Sequence, residues 1–399
     1  DDSVSPQVGQ FVYAQSYLGN PAALPLDPIA LPLKAELFTT TLSSGFFGVF
    51  RDAVPDDWGR HVASRLYGDS FQTDFDYLFL GTADRMGALA FGHAADAPVE
   101  EVALLRWDEL RESALLDAIL KIDRDAPLSA AEERAALAFG AGTSAGGARP
   151  KVTVQLDDGA WLAKLNRHND KWNVARVEAA MLDLARACGI AVPDHRLACI
   201  QRQDILLVKR FDRMLAEDGI LRHRMVSAAT VFLADAAAAR LAYTGSYPRL
   251  SRELARWTVR GNEDRPQLFR RIAFNSLCSI TDDHERNHAL VAQGAQGAHF
   301  QLSPAFDLVP QPGNTRKRLL ALNVGEFGAI AVRANLLSSA HAFLLSVAQA
   351  TAIIDEVQAT ISHDWRKFCE GRGVHATDIS RIQSCFDPNA FEDTPARVF

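Results

Sequence analysis

The chain has 399 residues, of which 48% are hydrophobic and 23% charged, and its net charge is −7. At about 150 residues per domain, this length predicts two or three domains, or two lobes around a cleft. The composition excludes a disordered, collagen-like or coiled-coil chain, and the acidic balance excludes a strongly basic nucleic-acid binder while leaving room for a local basic patch.

The five cysteines are Cys188, Cys199, Cys278, Cys369 and Cys385. None forms a C-x-x-C pair, so neither a disulfide framework nor a zinc ribbon is predicted. Such usage points to a reducing compartment, and the cytoplasm is the expected location. The opening DDSVSPQVGQ is acidic and polar, unlike a signal peptide. The stretch 335–354 lacks acids and bases but carries Ser338, Ser339, His341, Ser346, Gln349 and Thr351. It is too polar for a membrane span and is predicted as a buried helix.

Three parts follow in chain order. Residues 1–98 mix short strand-like runs with turns and are rich in Pro and aromatics. The segment HAADAPVEE reads as a linker, with Pro98 breaking any helix. Residues 99–212 open with a helical stretch, LLRWDELRESALLDAILKI. A second helix starts at Ser129, where Glu132 completes a capping-box signature. The glycine-rich segment GAGTSAGGARPK comes next. Strands KVTVQL and AWLAKL are joined by a turn at Asp157-Asp158-Gly159. The helix NVARVEAAMLDLARACG closes at Gly189, and VPDHRLACI and DILLVKRF read as strands. Residues 213–399 read as mostly helical, with helical spacing in QLFRRIAFNSLCSI and over 336–354. The predicted class is α+β: a mixed α/β N-terminal lobe, an all-α C-terminal lobe and a cleft between them.

Four segments carry residues suited to chemistry. The glycine-rich loop, 140–151, lets backbone N–H groups approach a phosphate, although no G-K-[ST] ends it. A flexible connector would look the same. Lys164, on the second strand after that loop, is placed to reach phosphates across a cleft, with Glu178 as its candidate partner. A solvent-facing strand Lys is the plainer reading of that position alone. Thr281-Asp282-Asp283-His284-Glu285-Arg286-Asn287 has Asp and Asn five apart, the spacing with which a kinase catalytic loop orients a hydroxyl and holds Mg²⁺. Asp307, in Ser303-Pro304-Ala305-Phe306-Asp307, is a candidate second Mg²⁺ ligand. A rival motif overlaps the third segment. His284, Glu285 and His288 match H-E-x-x-H, the zinc-hydrolase pattern, with Asp307 as a candidate third ligand. That reading needs a continuous helix, and it leaves the loop and Lys164 unexplained.

Taken together and in order, these motifs resemble the HipA family of serine/threonine kinases, the toxins of bacterial type II toxin–antitoxin modules. Val54-Pro55-Asp56-Asp57-Trp58-Gly59-Arg60 is similar to the family's PDGWGR, and Asp84-Arg85-Met86-Gly87-Ala88-Leu89 to its D-x-x-G-A-L. The segment 144–151 is similar to S-x-x-G-A-Q-x-K, 282–287 to D-x-H-x-x-N, and 303–307 to L-x-P-x-Y-D. The resemblance implies a two-lobed kinase-like fold that uses ATP and Mg²⁺. It implies Asp282 as catalytic base or hydroxyl-orienting residue, with Asn287 and Asp307 on Mg²⁺. Lys164 would contact the ATP phosphates, with loop residues Ser144, Gly146, Gly147, Ala148 and Lys151 around the nucleotide. Lys209 to Phe211 would form the hinge beside adenine, and His284 would brace the catalytic loop.

Ser144 corresponds to the loop serine that the family autophosphorylates, which switches off ATP binding. Arg149 replaces the family's loop Gln, Phe306 its Tyr, and Lys209 stands where some members have Glu. Thr143 lies beside Ser144 as a second candidate phosphosite. The implied partners are a HipB-like helix-turn-helix antitoxin, with operator DNA bound only through it, and a protein substrate, for which an aminoacyl-tRNA synthetase is the family's candidate. No membrane partner is expected. The non-enzyme alternative is a kinase-like subunit that only engages antitoxin and DNA.

Overall fold

The computed structural model describes residues 8–40, 45–70, 73–80, 84–94, 97–98, 104–112, 114–138, 147, 149–217, 219–233, 245–292, 299–313 and 317–392. A five-stranded sheet organises the first lobe. Its strands run in the order Leu105–Arg106, Lys151–Leu156, Gly159–Leu165, Gln203–Lys209 and His195–Ile200. The first pair is parallel and the others antiparallel. The hairpin turn requires its glycine: Gly159 has a φ of +134°. Asp158 closes the turn by accepting from Trp161 Nε1 at 2.9 Å.

Strand alternation decides which side chains face the cleft. In Gln203–Lys209, Ile205 and Leu207 join one buried cluster while Leu206 and Val208 join the other. Trp161, Ala163 and Leu165 face the first cluster, with Trp58, Leu116 and Ile119. Lys164 is thereby turned to the opposite face. Helix Val174–Ala187 lies on that face. Asn173 caps it by accepting from the Arg176 N–H at 3.1 Å, and Gly189, with a φ of +74°, lets the chain turn away. Helix Val347–Gly371 packs against both Val174–Ala187 and the helix Gly261–Leu277. One core, including Met181, Leu206, Phe269, Phe274 and Ile354, therefore runs through both lobes.

Several elements differ from expectation. LLRWDELRESALLDAILKI is not one helix: Leu105–Arg106 is an edge strand, followed by helices Trp107–Glu112 and Leu115–Asp123. The edge pairing of Leu105 with Val154 outcompetes a helical start. The stretch 335–354 also breaks. Helix Arg333–Ser338 and a 3-10 turn Ala340–Phe343 end at Leu344, whose φ is +60°. A new helix then begins behind Ser346, whose side chain and that of Gln349 form a reciprocal capping box.

The C-terminal lobe is predominantly helical, but it carries strands that the all-α expectation omits. Arg213–Ala216 pairs with Gly219–Arg222, and Arg224–Ser227, Ala289–Ala292 and Gln301–Leu302 form a three-stranded sheet. The run Ala289–Ala292 is apolar at every position and four residues long, too short to show a period. No described helix is long and apolar enough to cross a membrane.

Candidate active site

Lys164 stands at the centre of the site. Its Nζ donates to Glu178 Oε1 at 2.7 Å and to Asp307 Oδ1 at 2.8 Å. Glu178 comes from the helix Val174–Ala187, and Asp307 from the other lobe. Burial pushes the Lys164 ammonium toward neutrality, but Asp307 and Glu178 outweigh it and hold its pKa above the ordinary value. For Asp307, burial pushes the pKa up, but Lys164 outweighs it and holds the carboxyl below its usual range. For Glu178 burial prevails, and its pKa lies above the ordinary value despite Lys164.

Sheet register sets Lys151 directly opposite Lys164. Two like charges there would repel. Lys151 has its own partners: its Nζ donates to the Asp56 carboxylate and, at 2.9 Å, to the Gly147 carbonyl. Burial lowers the Lys151 pKa against the pull of Asp56, and raises that of Asp56 against Lys151. Asp56 also caps the helix Asp57–Tyr67, accepting from Gly59 N at 2.8 Å. The N-terminal region is thus tied to the start of the sheet and the end of the glycine-rich loop.

The segment 281–287 follows helix Gly261–Leu277 through a turn at Ser279, whose φ is +53°. Its two adjacent carboxylates have separate environments. Asp282 is exposed, and its carbonyl accepts from His284 N at 2.9 Å and from Asn287 Nδ2 at 3.0 Å. Asp283 is buried. Its Oδ2 accepts from the Tyr247 hydroxyl, from Asn275 Nδ2 at 2.7 Å and from His288 Nε2 at 2.9 Å. Burial raises the Asp283 pKa, but His288 and these hydrogen bonds outweigh it and hold it below the ordinary value. Asp283 therefore braces the segment and leaves Asp282 open.

The zinc reading loses its geometry here. Glu285–Asn287 is a single 3-10 turn followed by the strand Ala289–Ala292, so His284 and His288 do not share a helical face. His288 is committed to Asp283, and His284 Nδ1 accepts from Arg286 N at 3.3 Å. Among the described residues no three His, Cys, Asp or Glu side chains gather as a metal cage. Glu285→Gln is expected to change no metal content. Stoichiometric zinc by elemental analysis, lost on His288→Ala, would reinstate the hydrolase.

Between the lobes lies a cleft that opens to solvent. Its apolar walls are Met86, Leu162, Val208, Phe211, Met225 and Phe306, and its polar walls Lys164, Lys209, Arg210, Asp212, Asn287 and Asp307. Phe211 and Phe306 have ring centroids 5.6 Å apart. Asn287 gives its amide N–H to Asp282, leaving its Oδ1 as an acceptor. A carboxylate and an amide oxygen are hard donors that fit Mg²⁺, which binds few protein groups and completes its shell with phosphate and water. A cleft that combines apolar walls with a cation and two oxygen ligands fits a nucleoside triphosphate.

Residues 143–365 match the HipA-like C-terminal domain family, and residues 3–92 match the HipA N-terminal domain family. The chain belongs to the HipA family. Over 316 residues this HipA-family chain is 26% identical to the Sinorhizobium fredii protein named "Putative kinase Y4mE", covering 75% of this chain and 71% of that one. Its fold is similar to a chain of the Shewanella oneidensis MR-1 HipA, HipB and operator DNA complex. The TM-score is 0.65 at 15% identity, covering 94% of this chain and 90% of that one. The Helicobacter pylori proinflammatory kinase CtkA aligns with a TM-score of 0.41 at 10% identity, over 61% of this chain and 92% of that one.

Of the residues singled out from sequence, the structure gathers Lys164, Lys209, Phe211, Asn287 and Asp307 around one cleft. Asp282 and His284 flank it without forming its walls, and Lys151 meets Gly147 beside it. Ser144, Gly146 and Ala148, with Thr143, lie outside the described residues. Sequence reasoning missed Met86 and the network behind it. Arg210 donates to Asp84 at 2.5 Å, to the Arg85 carbonyl at 2.9 Å and to Asp212 at 2.8 Å. Gly87 N donates to Asp212 at 2.9 Å. Burial opposes the Arg210 charge, but Asp212 and Asp84 outweigh it and raise its pKa. The D-x-x-G-A-L motif carried the signal. Gly87 has a φ of +73°, and a Cβ there would stand 3.2 Å from Met225 N.

Proposed function

We propose that this HipA-family protein is an ATP- and Mg²⁺-dependent serine/threonine protein kinase, the toxin of a type II toxin–antitoxin module. The observation that carries the reading is Lys164 bonded at once to Glu178 of its own lobe and to Asp307 of the other, in the wall of a cleft that also presents apolar side chains. Kinases need such a strand-Lys to helix-Glu pair in place for transfer. When bound, the metal would supply positive charge to offset that of the phosphates. Asn287 and Asp307 would hold it, and Lys164 would steady the phosphate oxygens. Lys209 to Phe211 act as the hinge, with Phe211 and Phe306 beside the base. Asp282 orients the acceptor hydroxyl and takes its proton, while Asp283 and His284 keep the segment in shape. In this reading 1–98 is the HipA N-terminal subdomain, 99–212 the nucleotide lobe and 213–399 the catalytic lobe.

A HipB-like antitoxin is the proposed partner, since the chain of similar fold is found with HipB and operator DNA. The substrate is a protein hydroxyl, with an aminoacyl-tRNA synthetase as candidate, and the setting is the cytoplasm. Incubation with Mg²⁺/ATP, followed by phosphate mapping by mass spectrometry, tests the activity. No phosphate on the protein or on any added candidate substrate would reject it.

Ser144 is the proposed autophosphorylation site. A phosphate adds about −1.5 to −2 charge where ATP phosphates would lie. The expected result is a loss of ATP affinity of at least about tenfold on Ser144 phosphorylation, read by calorimetry. Equal affinity in the two forms would reject the switch, and phosphate confined to Thr143 would move it by one residue.

A further inference from the structure

Beneath the segment 281–287 lies a small cavity that shares Asn287 and Phe306 with the cleft. Arg271 and Asn275 of helix Gly261–Leu277 line it from one side, and Asp283, Asn287 and His288 from the other. Arg271, Asn275 and His288 are 4%, 1% and 2% exposed. Four buried polar atoms of these residues lack a hydrogen-bond partner among the described residues: Arg271 Nε and Nη1, Asn275 Oδ1 and His288 Nδ1. Native proteins rarely leave such groups unpaired, and all three residues line this one cavity, which points to a ligand there.

The chemistry of the four atoms is mixed. Both Arg271 nitrogens donate. Asn275 gives its amide N–H to Asp283, which leaves Oδ1 as an acceptor. His288 gives Nε2–H to the Asp283 carboxylate, which leaves Nδ1 as an acceptor. An anion would satisfy Arg271 and oppose two lone pairs, and a cation would do the reverse. Water accepts and donates at once. The cavity offers the centre of a water molecule about 10 Å³, the scale of one molecule. We propose that this cavity binds one ordered water, which accepts from Arg271 and donates to Asn275 Oδ1 and His288 Nδ1.

Its place gives it a task. Arg271 also donates through Nη2 to the Ser303 carbonyl, at the start of the segment that leads to Asp307. Ala305 and Phe306 line the same cavity. The water thus sits between the two segments that carry Asn287 and Asp307. Arg271 has no ion pair among the described residues, and burial pulls its pKa down to about 10 against Asp283 and Asp264. A buried charge without a close counter-ion is costly to keep, which fits a positioning residue better than a packing one. The task, though not the water itself, rests on the kinase reading.

Two measurements test it. The full chain is crystallised from sodium bromide and the cavity inspected at a resolution that shows waters. One water peak within hydrogen-bond reach of Arg271, Asn275 and His288, with no bromide anomalous signal, is expected. A dry cavity or a bromide there overturns the proposal. Arg271→Met is then compared with the parent. Its kcat for phosphoryl transfer should fall about 10- to 100-fold while KM for ATP stays within about twofold, because the misplacement affects alignment more than binding. An unchanged kcat, or a KM that carries the whole loss, overturns the positioning role. Should Arg271→Met fail to fold, Arg271→Lys keeps the charge but cannot span both segments, and the same split is expected. If the parent itself transfers no phosphate, the kinase reading fails while the crystal still decides the water.

Discussion

Asp307→Asn is expected to lower phosphoryl transfer by ~10³-fold or more while the protein remains folded. That factor is about 4 kcal/mol of transition-state stabilisation. Asn is the informative replacement for a backbone reason. Asp307 sits at a φ of +61°, the left-handed region, which Asp and Asn tolerate and most other residues do not. Asn keeps that conformation and nearly the same volume, and removes one charge. Lys164 keeps Glu178 as a partner, and the apolar core that runs through both lobes is untouched.

The variant also has a pH signature. Lys164 holds the Asp307 pKa below its unfolded value. A depressed carboxyl contributes stability that is complete above about pH 4 and is lost as pH falls through the lower folded pKa. The parent should therefore melt higher than Asp307→Asn at pH 7, and the gap should close on acidification. Full activity in the variant, or a gap that widens toward acid, would remove Asp307 from the site.

How much of this was legible in the sequence follows from how far apart partners lie. The strand KVTVQL matched its observed bounds, because its two-residue alternation is local and Asp157-Asp158-Gly159 marks its end. The same alternation, read against Trp161, Ala163 and Leu165, turns Lys164 to the cleft. Asp282 and Asn287 were legible because their spacing is short. The clamp between 84–87 and 210–213 was not, since its partners lie about 125 residues apart and no local pattern links Gly87 to Asp212. The single helix expected over 335–354 overlooked Ser346 and Gln349, a capping signal inside an apolar run. Arg271 carries no motif at all. From sequence it is one Arg in an amphipathic helix, and only its neighbours across the chain give it a role.

The neighbouring carboxylates Asp282 and Asp283 offer the sharpest separation of chemistry from structure. Asp282→Asn should cut kcat by about 10²- to 10⁴-fold, the usual contribution of a positioned acid–base group. Asp282 is exposed, and its carboxylate has no hydrogen bond or ion pair among the described residues. The backbone carbonyl that meets Asn287 is untouched by the substitution. The melting temperature should therefore hold. Asp282 is not a wall of the cleft, so KM for ATP should hold as well. Asp283→Asn should behave in the opposite sense. One Asp283 oxygen accepts from Tyr247, Asn275 and His288; an amide oxygen in its place is a weaker, uncharged acceptor, and the amide N–H groups at the other oxygen's position are new buried donors. Leaving buried donors unpaired costs roughly 1–3 kcal/mol, and that loss should appear as a lower melting temperature. Activity and melting curves on both variants check the assignment. If Asp282→Asn melts early and retains kcat, Asp282 is structural and the acceptor hydroxyl is oriented by another group.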